Sequence, residues 1–163
     1  MNRLILTVLT CFQLLGCGTT DTPRVVECAQ TEMSDEYRII YVQFLADLDV
    51  LQVPRKYAHT CQLTSIRDGI TSKDSILGEA VRYSNENGSV TSNFIVISTS
   101  FKPMLTKGTL KYLLYHELVH AVLFQFGHTE TQGLMFPTCK YNRPEEQAFT
   151  DLRQFIDNDW SPK

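Results

Sequence analysis

The sequence predicts an α+β fold in which a small twisted mixed sheet packs on a central helix. Three segments carry apolar residues at helical spacing, and β-rich segments with a strong turn signal lie between the first two of them. The chain has 163 residues, of which 43% are hydrophobic, and this is sufficient for one domain with its own core. We therefore expect a backing helix, the sheet, the central helix and a C-terminal helix, in that order.

The first helix is predicted to begin after Ser34 and to end before Pro54. The Ser34 hydroxyl can cap the first backbone amides, and the two acidic residues that follow suit the positive end of the helix dipole. A short strand over residues 24–28 is expected to precede this helix. Apolar residues at helical spacing predict one buried face, formed by Ile40, Phe44, Leu45, Leu48 and Leu51.

The middle of the chain is predicted to form the sheet. Residues 60–66 show mixed alternation, and residues 78–83 and 93–98 lie on either side of the Asn87-Gly88 pair, the strongest turn signal in the chain. The segment 93–98 is rich in β-branched and aromatic residues. This composition predicts that it is buried on both faces or borders a cleft.

A second helix is predicted from Thr106 or Thr109 to about Phe126, where Gly127 should end it. Its apolar residues indicate that it is buried, and this makes it the central helix of the fold. The residues that carry this pattern are Leu110, Leu113, Leu114, Ala121 and Phe124.

The last helix is predicted to begin at Asn142, after a loop through Pro137. Glu145 lies three residues after Asn142, as in a capping box. Asp151 is expected on the solvated face of this helix. The buried face would consist of Phe149, Leu152, Phe155 and Ile156.

The second helix contains the sequence HELVH, which predicts a zinc site. His116 and His120 are four residues apart, so that they share one helical face and can bind the same ion. Glu117 projects beside them and could accept a proton from a water molecule that zinc activates near neutral pH. A pair of hydrogen-bonded core histidines is the ordinary alternative, but histidines on an apolar face need polar partners, and a metal is one.

The segment from His116 to Pro137 resembles the metzincin metallopeptidases, most closely the matrixins. The shared features are the zinc helix, a glycine turn, a third histidine and a loop with a methionine. The resemblance implies that His128 is the third zinc ligand, that Met135 lies in the Met-turn, and that residues 24–163 form a zincin-like metallopeptidase domain. The family places its glycine three and its third histidine six residues after the second histidine, whereas Gly127 and His128 come seven and eight residues after it. This spacing predicts a zinc helix about one turn longer.

Two alternatives to this assignment remain open. In gluzincins the third ligand is a carboxylate from a later helix, and Glu146 would fill that role here. The chain could also be a non-catalytic lipoprotein that binds zinc or a partner. Under the peptidase reading the substrate is a peptide or protein, and the resemblance implies that strand 93–98 is the sheet edge that pairs with it.

The first sixteen residues are predicted to be a lipoprotein signal peptide. Arg3 precedes an apolar run that is too short to span a bilayer stably. The run ends in Leu-Leu-Gly-Cys, which resembles a bacterial lipobox, so Cys17 would be lipidated and residues 17–23 would form a tether. An ordinary secretory signal and a retained anchor are the alternatives. The expected location is the cell envelope, on the extracytoplasmic side of a bacterial membrane.

The formal net charge is −3, and it becomes −4 when Arg3 is removed with the signal (−3 − 1). This mildly acidic balance does not indicate a nucleic-acid partner, and we expect a monomer. Three cysteines remain in the domain, Cys28, Cys61 and Cys139, in a compartment where disulfides persist. They allow one bridge in any of three pairings, and Cys28 could instead cap the zinc as a thiolate.

Overall fold

The computed structural model describes residues 31–129, 133–137 and 142–162. The predicted signal peptide, the lipidation site Cys17, the tether 17–23 and the strand 24–28 lie outside these ranges, as do Cys28 and Cys139. Within the described ranges, helices and one small mixed sheet form the fold, which confirms the α+β prediction. No helix in these ranges is long and apolar enough to cross a membrane.

The described part of the chain contains these regular elements. The helices are α1 (Asp35–Val50), α2 (Lys107–Val122) and α3 (Gln147–Asn158). The strands are β1 (Glu32–Met33), β2 (Ser65–Gly69), β3 (Gly78–Ser84) and β4 (Val90–Ser98). Single 3₁₀ turns occupy Arg55–Tyr57, Thr60–Gln62 and Lys102–Met104.

Helix α1 forms within the predicted bounds, but only Phe44 and Leu48 of the predicted buried face are fully buried; Ile40, Leu45 and Leu51 are partly buried. Ser34 is its N-cap, and the Ser34 hydroxyl accepts a hydrogen bond from the Tyr37 backbone N–H at 3.5 Å. Phe44 and Leu48 are buried, and Tyr37 and Tyr41 extend the buried face towards the N-terminus. Helix α1 packs on α2, where the Phe44 ring meets the Tyr115 ring edge-on.

The sheet has the strand order β1-β2-β4-β3. Strand β4 runs parallel to β2 and antiparallel to β3, with Ala80 opposite Ile95. The hairpin turn lies between the two antiparallel strands as predicted, with Gly88 at a φ of 77°. The edge next to the cleft is therefore β3. The prediction that strand 93–98 is the edge was wrong, because β4 has a hydrogen-bonded neighbour on each side.

The prediction of a strand over residues 60–66 was wrong in its first half. Residues Thr60–Gln62 form a 3₁₀ turn, and the strand begins only at Ser65. The two core residues of this segment, Leu63 and Ile66, are three positions apart, and this spacing does not match the alternation of a strand. Cys61, in the turn, is disulfide-bonded.

Helix α2 is the centre of the molecule. It packs against α1, α3, β3 and β4, so most of its circumference is buried. Of the two predicted starts, Thr106 and Thr109, the helix uses Thr106 as its N-cap. The Thr106 hydroxyl accepts a hydrogen bond from the Thr109 N–H. The helix ends at Val122, about one turn before the predicted end, and Phe124 then adopts a left-handed φ of 54°. Gly127 has no part in ending it.

Helix α3 begins later than predicted. Its first residue is Gln147, its N-cap is Glu146, and no side chain caps it. Asn142 has a left-handed φ of 63°, so the chain turns there and the predicted capping box with Glu145 does not form. Asp151 is buried against α2, contrary to the prediction of a solvated position, because the Tyr112 hydroxyl lies 3.0 Å from its carboxylate.

A glycine in the first turn of α2 allows the segment before α3 to approach closely. A Cβ on Gly108 would lie 1.9 Å from the carbonyl oxygen of Arg143. We expect Gly108→Ala to lower the free energy of unfolding by about 1–3 kcal/mol, although alanine in a helix normally adds up to about 1 kcal/mol of stability. Urea denaturation measures the change. Gly133→Ala is the control, since no described atom lies within 4 Å of its Cβ position, and a destabilised control would contradict the explanation.

Candidate metal centre

Three imidazole rings converge on one point beside α2. His116 and His120 lie one helical turn apart, and their Nε2 atoms are 3.2 Å from each other. The Nε2 atom of His128 is 3.2 Å from that of His116, and the ligand atoms of all three lie within 4.8 Å of one another. Zinc–nitrogen distances of about 2.0–2.1 Å in a tetrahedral site place neighbouring nitrogens about 3.3–3.4 Å apart. The separations therefore fit a single zinc ion.

Backbone carbonyls orient two of the rings. The Nδ1 atom of His116 is 2.6 Å from the carbonyl oxygen of Leu134, and the Nδ1 atom of His120 contacts the carbonyl oxygen of Gln125. A carbonyl only accepts hydrogen bonds, so each Nδ1 carries the proton and each neutral ring keeps a lone pair on Nε2. Such second contacts fix the tautomer and the direction of a metal-binding histidine.

The electrostatics of the site keep these rings neutral. Burial, together with the neighbouring histidines, lowers the pKa of His116 from 6.5 to about 4, although its bond to Leu134 acts in the opposite direction. Burial also lowers the pKa of His120. Metal ligation requires the neutral imidazole, so both rings are in the required state at neutral pH.

The early end of α2 brings His128 back to the helix. After the left-handed residue Phe124 the chain reverses, and the Thr129 N–H donates to the carbonyl oxygen of Met135 at 3.0 Å. Met135 itself is 1% exposed and belongs to the hydrophobic core. The loop predicted to hold a Met-turn is therefore anchored in the core by Met135 and by Leu134, whose carbonyl orients His116.

A buried carboxyl lies beside the rings. Glu117 is 4% exposed and accepts a backbone hydrogen bond from Ala80 on the edge strand β3. Burial raises the pKa of Glu117 to about 8; the Ala80 N–H opposes this shift and the charge of Glu79 adds to it. An acidic group whose pKa lies near neutrality is suited to accept and return a proton, and such groups cluster at functional sites.

The rings and the carboxyl open into a cleft of about 920 Å³. The cleft is lined by β3, by α2, and by Phe126 and Phe136 from the chain that follows α2. This volume lies within the range of ligand sites, about 300–1,000 Å³. The lining of the cleft includes residues of β3 from Gly78 to Ser84.

The alternative ligand Glu146 is not brought to this cluster. It is exposed at the N-terminal end of α3, and the potential metal-binding group found among the described residues consists of the three histidines. The remaining histidine, His59, stacks on the Phe124 ring with a centroid distance of 4.0 Å. Tyr115, directly before His116, is buried, and its hydroxyl donates to Asp47 at 2.5 Å.

Several groups of the site leave no signature in the sequence. The Ala80 N–H and the carbonyls of Leu134 and Gln125 are backbone groups, so only the fold reveals them. Arg82 also lines the cleft and was not predicted. Its position two residues after Ala80 becomes informative only once β3 is known to be the edge strand.

Comparison with protein-family models, with curated proteins and with solved structures gave no significant match. The class of the protein is therefore defined by its fold and its site. It is an α+β protein with three converging imidazoles and a buried carboxyl at the floor of a cleft. This combination makes the site a candidate metal centre.

Proposed function

We propose that this protein is a zinc-dependent metallopeptidase in which Glu117 acts as the general base. The observation that carries the proposal is the convergence of the His116, His120 and His128 Nε2 atoms beside the Glu117 carboxyl in an open cleft. A catalytic zinc site has three protein ligands and one open position, and a structural site does not need a neighbouring base.

The three histidines would hold the ion. Bound zinc supplies a Lewis acid that polarises a carbonyl group and lowers the pKa of water to about 7. Two of the rings are oriented by carbonyls of the chain itself, so little rearrangement is needed to receive the ion. Nitrogen ligands at this spacing suit zinc better than calcium or magnesium, which prefer oxygen.

Glu117 would carry the proton. The Ala80 N–H bonds to its carboxylate at the floor of the cleft, beside the histidines. The carboxylate takes a proton from the attacking water and gives a proton to the leaving amine, so one group acts as base and then as acid. No covalent bond between the protein and the substrate is required.

The substrate would lie extended along β3. This strand is at the edge of the sheet, and alternate N–H and C=O groups of an edge strand point away from its partner. A peptide that adds a strand to this edge gains main-chain hydrogen bonds. Its carbonyl would then pass the Ala80 position, where Glu117 is anchored.

The resemblance to the metzincins supports this proposal and is part of it. The difference in spacing after His120 has a physical account in the short helix, because α2 ends at Val122 and the reversal at Phe124 returns the chain to the site. The proposed setting is the outer side of a bacterial membrane, with Cys17 as the lipidated residue. The disulfide at Cys61 is consistent with a compartment outside the cytoplasm.

The experiment that tests the function combines metal analysis with cleavage of a peptide library. We expect the purified mature protein to retain one zinc ion per chain after dialysis and to cleave library peptides. A chelator should abolish cleavage, and added zinc should restore it. A protein that binds zinc but cleaves no peptide would instead be a non-catalytic zinc-binding lipoprotein, and a protein that binds no stoichiometric metal would contradict both.

A further inference from the structure

Arg82 is a cationic side chain in the wall of the cleft. It lies on β3, two residues after Ala80, and its guanidinium carbon is 4.0 Å from the centroid of the Phe124 ring and 5.3 Å from that of Phe126. Contact with two aromatic faces holds a guanidinium in place through cation–π attraction. The group is therefore positioned, although it is only half-buried.

The charge of Arg82 has no counter-ion among the described residues. No carboxylate oxygen of these residues lies within 4.0 Å of it, whereas Arg143 and Lys102, which are also partly buried, each have an acidic partner at that distance or less. The Nε atom of Arg82 is buried without a hydrogen-bond partner. A partly desolvated cation with unused donors is costly unless a ligand supplies the missing acceptors.

Asn93 is the neighbour that could use one of these donors. It lies opposite Arg82 on β4. Its Nδ2 donates to the Ala121 carbonyl, whereas its Oδ1 atom is buried and has no hydrogen-bond partner. A bond from Nε to that oxygen would occupy one of the five guanidinium N–H groups. The other four would remain, and so would the charge, since an amide is neutral.

The surroundings of Arg82 favour an anion and not a second cation. His59 stacks on Phe124, one of the two aromatic rings that contact Arg82. The pKa of His59 is lowered by its burial and by the charge of Arg82. His59 is therefore neutral at pH 7. A guanidinium presents its donors as a planar fork, which matches the two oxygens of a carboxylate.

Arg82 is close to the reacting groups. Two residues of a strand span about 7 Å, and Ala80 contacts the Glu117 carboxyl. Phe124 and Phe126 flank Gln125, whose carbonyl oxygen orients His120. A group bound by Arg82 would therefore lie within one to two residues of the bond that is cut.

We propose that Arg82 is a specificity-determining residue that binds a carboxylate of the substrate. The carboxylate is either an aspartate or glutamate side chain near the cleaved bond or the C-terminal carboxylate of a short peptide. The inference rests on the proposed function, in that the ligand of the cleft is a peptide. It adds that the preferred peptide is acidic at one defined position.

The test measures peptide binding, so that it does not depend on turnover. The probes are fluorescein-labelled octapeptides of alanine and glutamine in which glutamate replaces glutamine at each position in turn, each made with a free and with an amidated C-terminus. Fluorescence anisotropy gives Kd for the zinc-loaded Glu117→Gln protein. We expect the peptide with glutamate at one particular position, or the peptides with a free C-terminus, to bind about tenfold more tightly than their neutral counterparts. The two sets of peptides distinguish the side chain from the terminus.

Variants at two arginines assign the preference. In the Glu117→Gln background, Arg82→Gln should bring the ratio of Kd values to about one, and Arg82→Lys should leave a reduced ratio because lysine keeps the charge but not the fork. Arg67→Gln is the matched control. Arg67 also lies over an aromatic ring, that of Phe94, but it is exposed on β2 and does not line the cleft.

The outcomes separate this inference from the proposed function. Equal binding of acidic and neutral peptides by the Glu117→Gln protein, which keeps Arg82, overturns the inference. A preference for acidic peptides that persists after Arg82→Gln also overturns it. The comparison of acidic with neutral peptides on the protein that keeps Arg82 remains valid even if the Arg82→Gln variant does not fold. A carboxylate preference in a protein that never cleaves a peptide would support Arg82 as an anion-binding residue while the peptidase proposal fails.

Discussion

Replacing Glu117 with glutamine is expected to lower kcat/KM for peptide cleavage by about 10²–10⁴-fold, which is the range of general acid–base catalysis. Glutamine has nearly the same shape but cannot accept a proton, and it removes no ring of the three-histidine cluster. Zinc should therefore remain bound at one ion per chain. Steady-state kinetics and metal analysis on the same preparation measure the two quantities together.

The matched control is Glu79→Gln, which makes the same change in the same cleft. Glu79 lies on β3 next to Ala80 and accepts a hydrogen bond from the Ser72 N–H at 2.9 Å. Because the Glu79 carboxylate bonds to a different segment, at Ser72, and acts on Glu117 only through its charge, we expect kcat/KM to change only a few-fold. A Glu117→Gln protein that retains full activity would remove the base from the mechanism, and one that loses zinc would show that the residue serves the metal site instead.

Replacing His128 with alanine is expected to weaken zinc binding by more than about 100-fold. Removing the hydrogen-bond partner that orients a metal-binding histidine costs about 10–100-fold in metal affinity, and removing the histidine itself should cost more. The Nε2 atom of His128 is 3.2 Å from that of His116, so its loss leaves two histidine nitrogens at the site. Competition with a chromophoric chelator measures the zinc Kd.

Two variants serve as controls for His128. Glu146→Ala removes the alternative ligand, which is exposed at the start of α3, and His59→Ala removes the histidine that stacks on Phe124. Both should bind zinc with nearly unchanged affinity. If Glu146→Ala weakened zinc binding and His128→Ala did not, the third ligand would be the carboxylate, as in the gluzincin alternative.

The elements whose signals are local could be predicted from the sequence. The cap at Ser34 and the apolar spacing after it placed α1, and Asn87-Gly88 placed the turn between β3 and β4. The four-residue spacing of His116 and His120 also sufficed to put both rings on one face of α2. In each case the residues that decide the structure are neighbours in the chain.

The features that depend on distant contacts could not be predicted. Helix α2 ends where Phe124 adopts a left-handed conformation, which costs most non-glycine residues about 1–3 kcal/mol. Contacts with His59 and Arg82, from two other segments, hold the Phe124 ring there. The sequence shows Gly127 as the obvious end, and the contacts that override it are visible only in the fold.

The order of the strands was hidden for a similar reason. The density of apolar residues in β4 is compatible with a central strand or with the side of a cleft, and only its pairing with both β2 and β3 distinguishes these positions. Strand β3 has a more polar sequence, and its place at the edge brings the Ala80 N–H to Glu117. Hydrophobicity thus identified the strand but not its neighbours.

The carbonyls of Leu134 and Gln125 have a consequence for the thermodynamics of the centre. Both belong to chain that follows the helix, and they restrict the rotation of the His116 and His120 rings before any ion arrives. The loss of rotational entropy is therefore incurred during folding, and the ion meets a preorganised set of lone pairs. Metal affinity and the order of this chain segment are accordingly linked quantities, and whatever loosens one weakens the other.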